Sequence, residues 1–170
     1  MIVRQLTPQD AAAYQQVRLQ ALRDSPTAFA ASYEDETART LDEVAPRLAA
    51  AADGSLCMFG VFEGEALAGF VAFIRPQREK LRHSAELAGM YVVPSSRRRG
   101  FGRVLMDAVI AHARSLDGVR QLRLGVNAAN DPAVGLYRSA GFTKCGVEPD
   151  ALCIDGVYYD EDRYILRLGA

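Results

Sequence analysis

The stretch Val92-Val93-Pro94-Ser95-Ser96-Arg97-Arg98-Arg99-Gly100-Phe101-Gly102-Arg103-Val104-Leu105 runs three consecutive arginines into a Gly-x-Gly. Upstream, the apolar run from Ala85 to Val93 is closed by Pro94 and reads as a strand. Downstream, Val104, Leu105, Ala108, Val109 and His112 share one face of a helix running from about Gly100 to Leu116. The first N–H groups of a helix lack internal partners, and its dipole adds positive charge there. Gly100 and Gly102 let a ligand approach the backbone closely. Arg97, Arg98, Arg99 and Arg103 add charge-assisted donors. A strand-to-helix junction so equipped suits a pyrophosphate. It is not a P-loop, because no Gly-Lys-Ser/Thr follows, and it is not a Rossmann fingerprint, because Leu105 stands where the third glycine belongs. The plainer reading is a solvated charge run at a helix start.

Working outward, Ile2 to Leu6 reads as a strand. Thr7-Pro8-Gln9-Asp10 then opens a helix that ends near Asp24-Ser25-Pro26. Thr40-Leu41-Asp42-Glu43 is a capping box for a second helix, to about Ala52. Leu56–Phe62 and Ala66–Ile74 form a hairpin across Glu63-Gly64, and Glu79 to Arg82 is a solvated loop. After the arginine junction come a strand from Gln121 to Val126 and a helix carrying Ala133, Leu136, Tyr137 and Ala140, stopped by Gly141. Strands at Thr143–Val147 and Val157–Leu168 follow, with Asp155-Gly156 as a hairpin signal. The order β-α-α-β-β-β-α-β-α-β-β predicts a mixed α/β (α+β) protein, not a doubly wound sheet.

Composition sets the bounds. The 170 residues suit one domain, 1–170, and 49% hydrophobic with 24% charged residues is ordinary globular chemistry. A net charge of −1 lacks the basic footprint of a nucleic-acid binder. No signal peptide opens the chain, and no apolar run approaches the ~18 residues of a membrane span. Cys57, Cys145 and Cys153 are odd in number and lack metal-ligand spacing, so reduced thiols in the cytoplasm and no metal site are expected. Cys145 as a nucleophile has no histidine close in sequence to activate it. His83 and His112 pair with no second ligand.

The arginine junction, followed by Asn130-Asp131-Pro132-Ala133-Val134-Gly135-Leu136-Tyr137-Arg138-Ser139-Ala140-Gly141-Phe142, resembles the two signatures of the Gcn5-related N-acetyltransferase (GNAT) superfamily. Motif likeness covers about residues 84 to 142, and the element order extends it over nearly the whole chain. The resemblance implies a mostly antiparallel sheet of about seven strands with about four helices and a splayed parallel strand pair. It implies acetyl-CoA as co-substrate, with backbone groups of Met90, Tyr91 and Val92 on the pantetheine arm. The segment Arg97, Arg98, Arg99, Gly100, Phe101, Gly102 and Arg103 would hold the pyrophosphate, and Asn130 would touch the pantetheine or acetyl end. The reaction would be direct acetyl transfer to an amine, without metal, nucleic acid or membrane.

A lysine-like ammonium with pKa about 10.4 costs roughly 4 kcal/mol to deprotonate at neutral pH, and an α-amine about 1. A base and a proton donor for the leaving thiolate are therefore useful. Tyr137 falls on the signature tyrosine and is the acid candidate, although its apolar helical stripe also suits a core tyrosine. Glu86, fourteen residues before Gly100, is the base candidate by the offset seen in histone-acetyltransferase members. The alternative for Glu86 is a solvent-facing strand glutamate. Ribosomal-protein N-terminal acetyltransferases carry a glutamate on the following strand, where this chain has Gly125. The early helices and the C-terminal hairpin would shape the acceptor pocket. Their acidic residues, Glu34-Asp35-Glu36, Asp150, Asp155, Asp160, Glu161 and Asp162, favour a cationic amine if they face it. Tyr33, Tyr158 and Tyr159 would line or pack beside it. Other acyl-CoA donors and a non-catalytic acyl-CoA sensor or partner module are the competing readings. An exposed parallel strand edge, common in the superfamily, leaves a homodimer open.

Overall fold

The computed structural model describes residues 1–169. In chain order its regular elements are β1 (Ile2–Gln5), α1 (Ala11–Asp24), α2 (Tyr33–Thr37), α3 (Leu41–Val44), β2 (Leu56–Glu63), β3 (Ala66–Ile74), β4 (Ser84–Val92), α4 (Phe101–Ser115), β5 (Gln121–Asn127), α5 (Asp131–Ser139), β6 (Thr143–Ile154) and β7 (Val157–Arg167). The strands form one sheet ordered β1-β2-β3-β4-β5-β7-β6, antiparallel except for β4–β5. This is the mixed sheet expected from the element order.

Local departures have local causes. Asp10 accepts from the Thr7 N–H at 2.8 Å and is gripped by Arg4 at 2.7 Å, so the chain enters α1 through a 3-10 turn, Pro8–Asp10. The Thr40 box forms, with Thr40 N–H donating to Glu43 Oε2 at 2.8 Å. Its helix lasts only to Val44 and tightens into a 3-10 turn over Ala45–Leu48. Pro46 has no N–H to return to Asp42, which ends the α ladder well short of Ala52. The extra helix α2 starts at Ser32, whose Oγ accepts from the Asp35 N–H at 3.1 Å. Its five residues are too few to show a helical period. The strand expected to stop at Val147 continues to Ile154 through bulges around a left-handed Asp150 (φ 53°). The β6–β7 turn has Asp155 and Gly156 at φ 50° and 78°, as a tight hairpin requires.

Two apolar clusters cover the two sheet faces. On one, Phe101, Leu105, Met106, Val109, Ile110 and Ala113 of α4 pack onto Val61, Val71, Phe73, Ala85 and Leu87. On the other, Tyr14, Val17, Ala21 and Leu22 of α1 pack with Phe29, Phe62, Phe70 and Tyr91. His112 is a half-buried histidine at the core's edge: its Nε2 lies 2.9 Å from the Gly54 carbonyl and its ring meets Phe73 and Phe59 edge-on.

The decisive irregularity is in β4. Registered pairing with β5 covers only Ser84–Glu86 against Gln121–Arg123. Beyond it, the β3–β4 register shifts between Phe70 and Ala72, and Gly89 takes φ 58°. One extra residue on β4 makes a bulge, which bends the strand away from its parallel neighbour. The sheet's outer edges are β1 and β6, both antiparallel, so the only exposed parallel edge among the described residues lies inside this opening. Close backbone contact holds the bulge from the β3 side. A Cβ on Gly69 would sit 2.5 Å from the Tyr91 carbonyl and 3.2 Å from Val92 Cα. Gly69→Ala is expected to cost about 1–3 kcal/mol, read as a lower Tm. Gly146→Ala, whose methyl meets nothing within 4 Å, should leave Tm in place.

Candidate active site

Beside the parted end of β4 lies a cleft of about 580 Å3. Met90, Tyr91 and Val92 form one wall, and Asn130 with Pro132, Ala133, Leu136 and Tyr137 of α5 forms the other. Ser25, Ala28 and Phe29, just past α1, close the floor. Arg97, Arg98, Gly100, Gly102 and Arg103 surround the mouth.

At the mouth, the first α4 ladder bond runs from Val104 N–H to the Gly100 carbonyl at 3.1 Å. The N–H groups of Phe101, Gly102 and Arg103 therefore lie outside the helical ladder. Gly100 takes φ 85° and Arg98 φ 59°, an uncommon conformation for a side-chain-bearing residue. A Cβ on Gly102 would press against Leu136 Cδ2 at 3.1 Å, so glycine keeps α4 and α5 close here. Arg97 Nε donates to the Val92 carbonyl at 2.9 Å, which anchors its guanidinium at the mouth. Arg103 donates to Asp107 at 2.9 Å and to the Ser139 carbonyl at 3.3 Å, tying α4 to α5. Arg99 turns away: it pairs with Glu63 at 2.5 and 3.0 Å and does not line the cleft. The Phe101 side chain is buried in the core.

Tyr91 joins the wall to the floor. Its hydroxyl donates to Asp24 Oδ2 at 2.6 Å, and burial, then that bond, hold its phenol above the ordinary value. Asn130 caps α5, its Oδ1 accepting from the Ala133 N–H at 3.3 Å. Inward, the cleft meets a cavity of about 60 Å3 that shares Ala28, Met90, Asn130, Ala133 and Tyr137 with it. Tyr137 is 7% exposed, and desolvation pushes its phenol up to about 12. It therefore carries its proton at neutral pH.

Glu86 lines neither cavity. It stands half-buried in the closed part of the sheet, in register with Arg123, before the strands part. Cys145 is exposed on β6 and also lies outside both cavities. Of the acidic residues that could meet an acceptor, Glu36 is buried with Arg47 at 3.0 Å, Asp162 pairs with Lys144 at 2.6 Å, and Asp160 accepts from the Asp150 N–H. Only Glu161 reaches a cavity wall among the described residues. Tyr33, Tyr158 and Tyr159 line neither cavity. The sequence reading did not single out Leu87, Gly89, Asn127 or the Ser25–Phe29 floor. Gly89 inside an apolar strand pattern was the readable signal, since an isolated strand glycine marks a bulge.

An elongated cleft with a cationic mouth at a helix N-terminus and a protonated phenol at its inner end defines a class of site. The profile of the Acetyltransferase (GNAT) family matches residues 15–142. A mycothiol acetyltransferase from Geodermatophilus obscurus is 31% identical over 129 residues, 75% of this chain and 41% of that protein. The chain spans less than half the length of the curated relatives it matches. An N-acetyltransferase from Staphylococcus aureus superposes with TM-score 0.85 at 21% identity, covering 99% of this chain and 98% of that one. An acetyltransferase from Salmonella typhimurium, solved with its cofactor acetyl-CoA, superposes with TM-score 0.79 at 21% identity over 99% and 94%. The chain belongs to the GNAT family of acetyltransferases. No helix among the described residues is long and apolar enough to cross a membrane.

The buried phenol has a stability signature. Tyr137 holds its proton to about pH 12 in the folded chain and to about 10 when unfolded. This stabilisation is complete below pH 10 and is lost as pH rises towards 12. Denaturant titrations should show wild-type stability falling over that window by roughly 2 kcal/mol more than Tyr137→Phe.

Proposed function

We propose that this protein transfers the acetyl group of acetyl-CoA directly to a primary amine of a small molecule or peptide. The observation that carries the reading is the opening between β4 and β5, which joins a helix N-terminus ringed by Arg97, Arg98 and Arg103 to the buried Tyr137. A coenzyme pyrophosphate suits the mouth. The partnerless edge of β4 from Leu87 to Val92 suits the amide groups of a pantetheine arm. The inner cavity, near 60 Å3, favours acetyl over a longer acyl group such as succinyl. The mycothiol acetyltransferase relatives favour a small-molecule acceptor.

In this reading the neutral amine attacks the thioester carbonyl, and the Tyr137 phenol protonates the departing thiolate. Residues 1–170 act as one catalytic domain in the cytoplasm, where free thiols such as Cys57 persist.

Thermal-shift titration should rank acetyl-CoA and coenzyme A above succinyl-CoA. A ligand at 100 times its Kd adds about 2.7 kcal/mol. Gly102→Glu, which brings bulk and negative charge to the phosphate site, should abolish the shift. An unchanged affinity would overturn the pyrophosphate assignment. A panel of polyamine, aminoglycoside, lysine and α-amino acid acceptors, followed by thiol release, then tests transfer. Tyr137→Phe should lower kcat at least tenfold while the coenzyme Kd holds. Coenzyme binding without release from any amine would favour the binding-module reading.

A further inference from the structure

Gly125 of β5 stands in register with Arg163 of β7, and the next pair on the same sheet face is Asn127 with Glu161. The space a Gly125 side chain would fill is already taken. A Cβ there would overlap Glu161 Oε2 and lie 2.5 Å from Arg163 Nη1. The Glu161 carboxylate thus crosses from β7 over β5 and forms part of the inner cavity wall, with Tyr137, Asn127 and Asn130. It is the only carboxylate lining either cavity among the described residues. Its side chain is 23% exposed, so it reaches solvent as well as the cavity wall. One long contact steadies it, Arg163 Nη1 to Oε2 at 3.3 Å.

We propose that Glu161 is the catalytic carboxylate for the acceptor amine, an assignment that rests on the acetyl-transfer reading above. The amine nitrogen forms its bond to the acetyl carbon as its N–H proton passes to Glu161. The carbon–sulfur bond breaks, and the thiolate takes the phenolic proton of Tyr137. The proton on Glu161 returns to Tyr137 through solvent, so amine and thioester become amide and thiol with nothing left over. Gly125 is the enabling residue, because any side chain there would displace the carboxylate. The charged and titratable groups facing Glu161 are Arg163 on its own strand, Glu148 of β6, which lies 3.7 Å from Arg163, and Tyr137 of α5. Glu86 of β4 and Arg123 of β5 lie farther down the same sheet face.

The test uses the full chain, acetyl-CoA and the best acceptor from the amine panel. Glu161→Gln should keep the acetyl-CoA thermal shift, lower kcat by about 10² or more, and flatten the acidic limb of the pH–rate profile. Glu161→Asp should recover part of the rate. Gly125→Ala meets only the ends of two flexible side chains, so it should keep Tm and the acetyl-CoA shift yet lose rate like Glu161→Gln. A wild-type kcat and pH profile in Glu161→Gln would overturn the proposal. So would loss of the acidic limb in Glu86→Gln with Glu161→Gln unaffected, which would put the base on β4. A wild-type chain that neither binds acetyl-CoA nor releases thiol with any amine would overturn the transfer reading and this one together.

Discussion

Between Glu86 and Val92, β4 leaves β5, and the site depends on that separation. A parallel pair normally keeps its hydrogen bonds to the end of the shorter strand. Here an extra residue at Gly89–Met90 turns β4 off line after three registered pairs. The partnerless edge would be costly if it were buried and dry. It is tolerated because it borders a cleft open to solvent. The bend is braced from outside as well. Gly69 lets β3 follow the bulge, Tyr91 reaches Asp24 at the end of α1, and Arg97 grips the Val92 carbonyl. The same contacts therefore stabilise the fold and keep the cleft open.

Charge is sorted by what each group already touches. The arginine run looks uniform in sequence, yet Glu63 draws Arg99 away while Arg97 is fixed at the mouth by a backbone carbonyl. The acidic residues divide in the same manner. Glu36 is buried against Arg47 and Arg39, and Asp162 is held by Lys144. Such pairing offsets the cost of burial but leaves little capacity for a ligand. Glu161 differs because its partner contact is long and its side chain still borders a cavity.

Much of this was legible in the chain. The helix periods of α4 and α5, the β2–β3 hairpin and the glycine-arginine junction appear where local pattern places them, because each rests on contacts close in sequence. The capping box at Thr40 was read correctly and its helix length was not, since Pro46 cuts the ladder six residues later. The short helix α2 and the extension of β6 had no periodic signal, and tertiary packing supports them instead. Tyr137 and Asn130 are picked out by the second signature, and both border the inner cavity. Glu86 is picked out by its offset along one strand, and it stands where β4 and β5 are still in register.

The sequence by itself determined the order of the strands and the long helices, the glycine-arginine junction and the family, because these depend on short-range spacing and on residue types with fixed conformational preferences. Only the tertiary structure decided where the sheet parts, which arginines face the opening and which carboxylate fills the space left by Gly125. Those outcomes depend on register between strands far apart in the chain. A shift of one residue there exchanges the face on which every side chain stands.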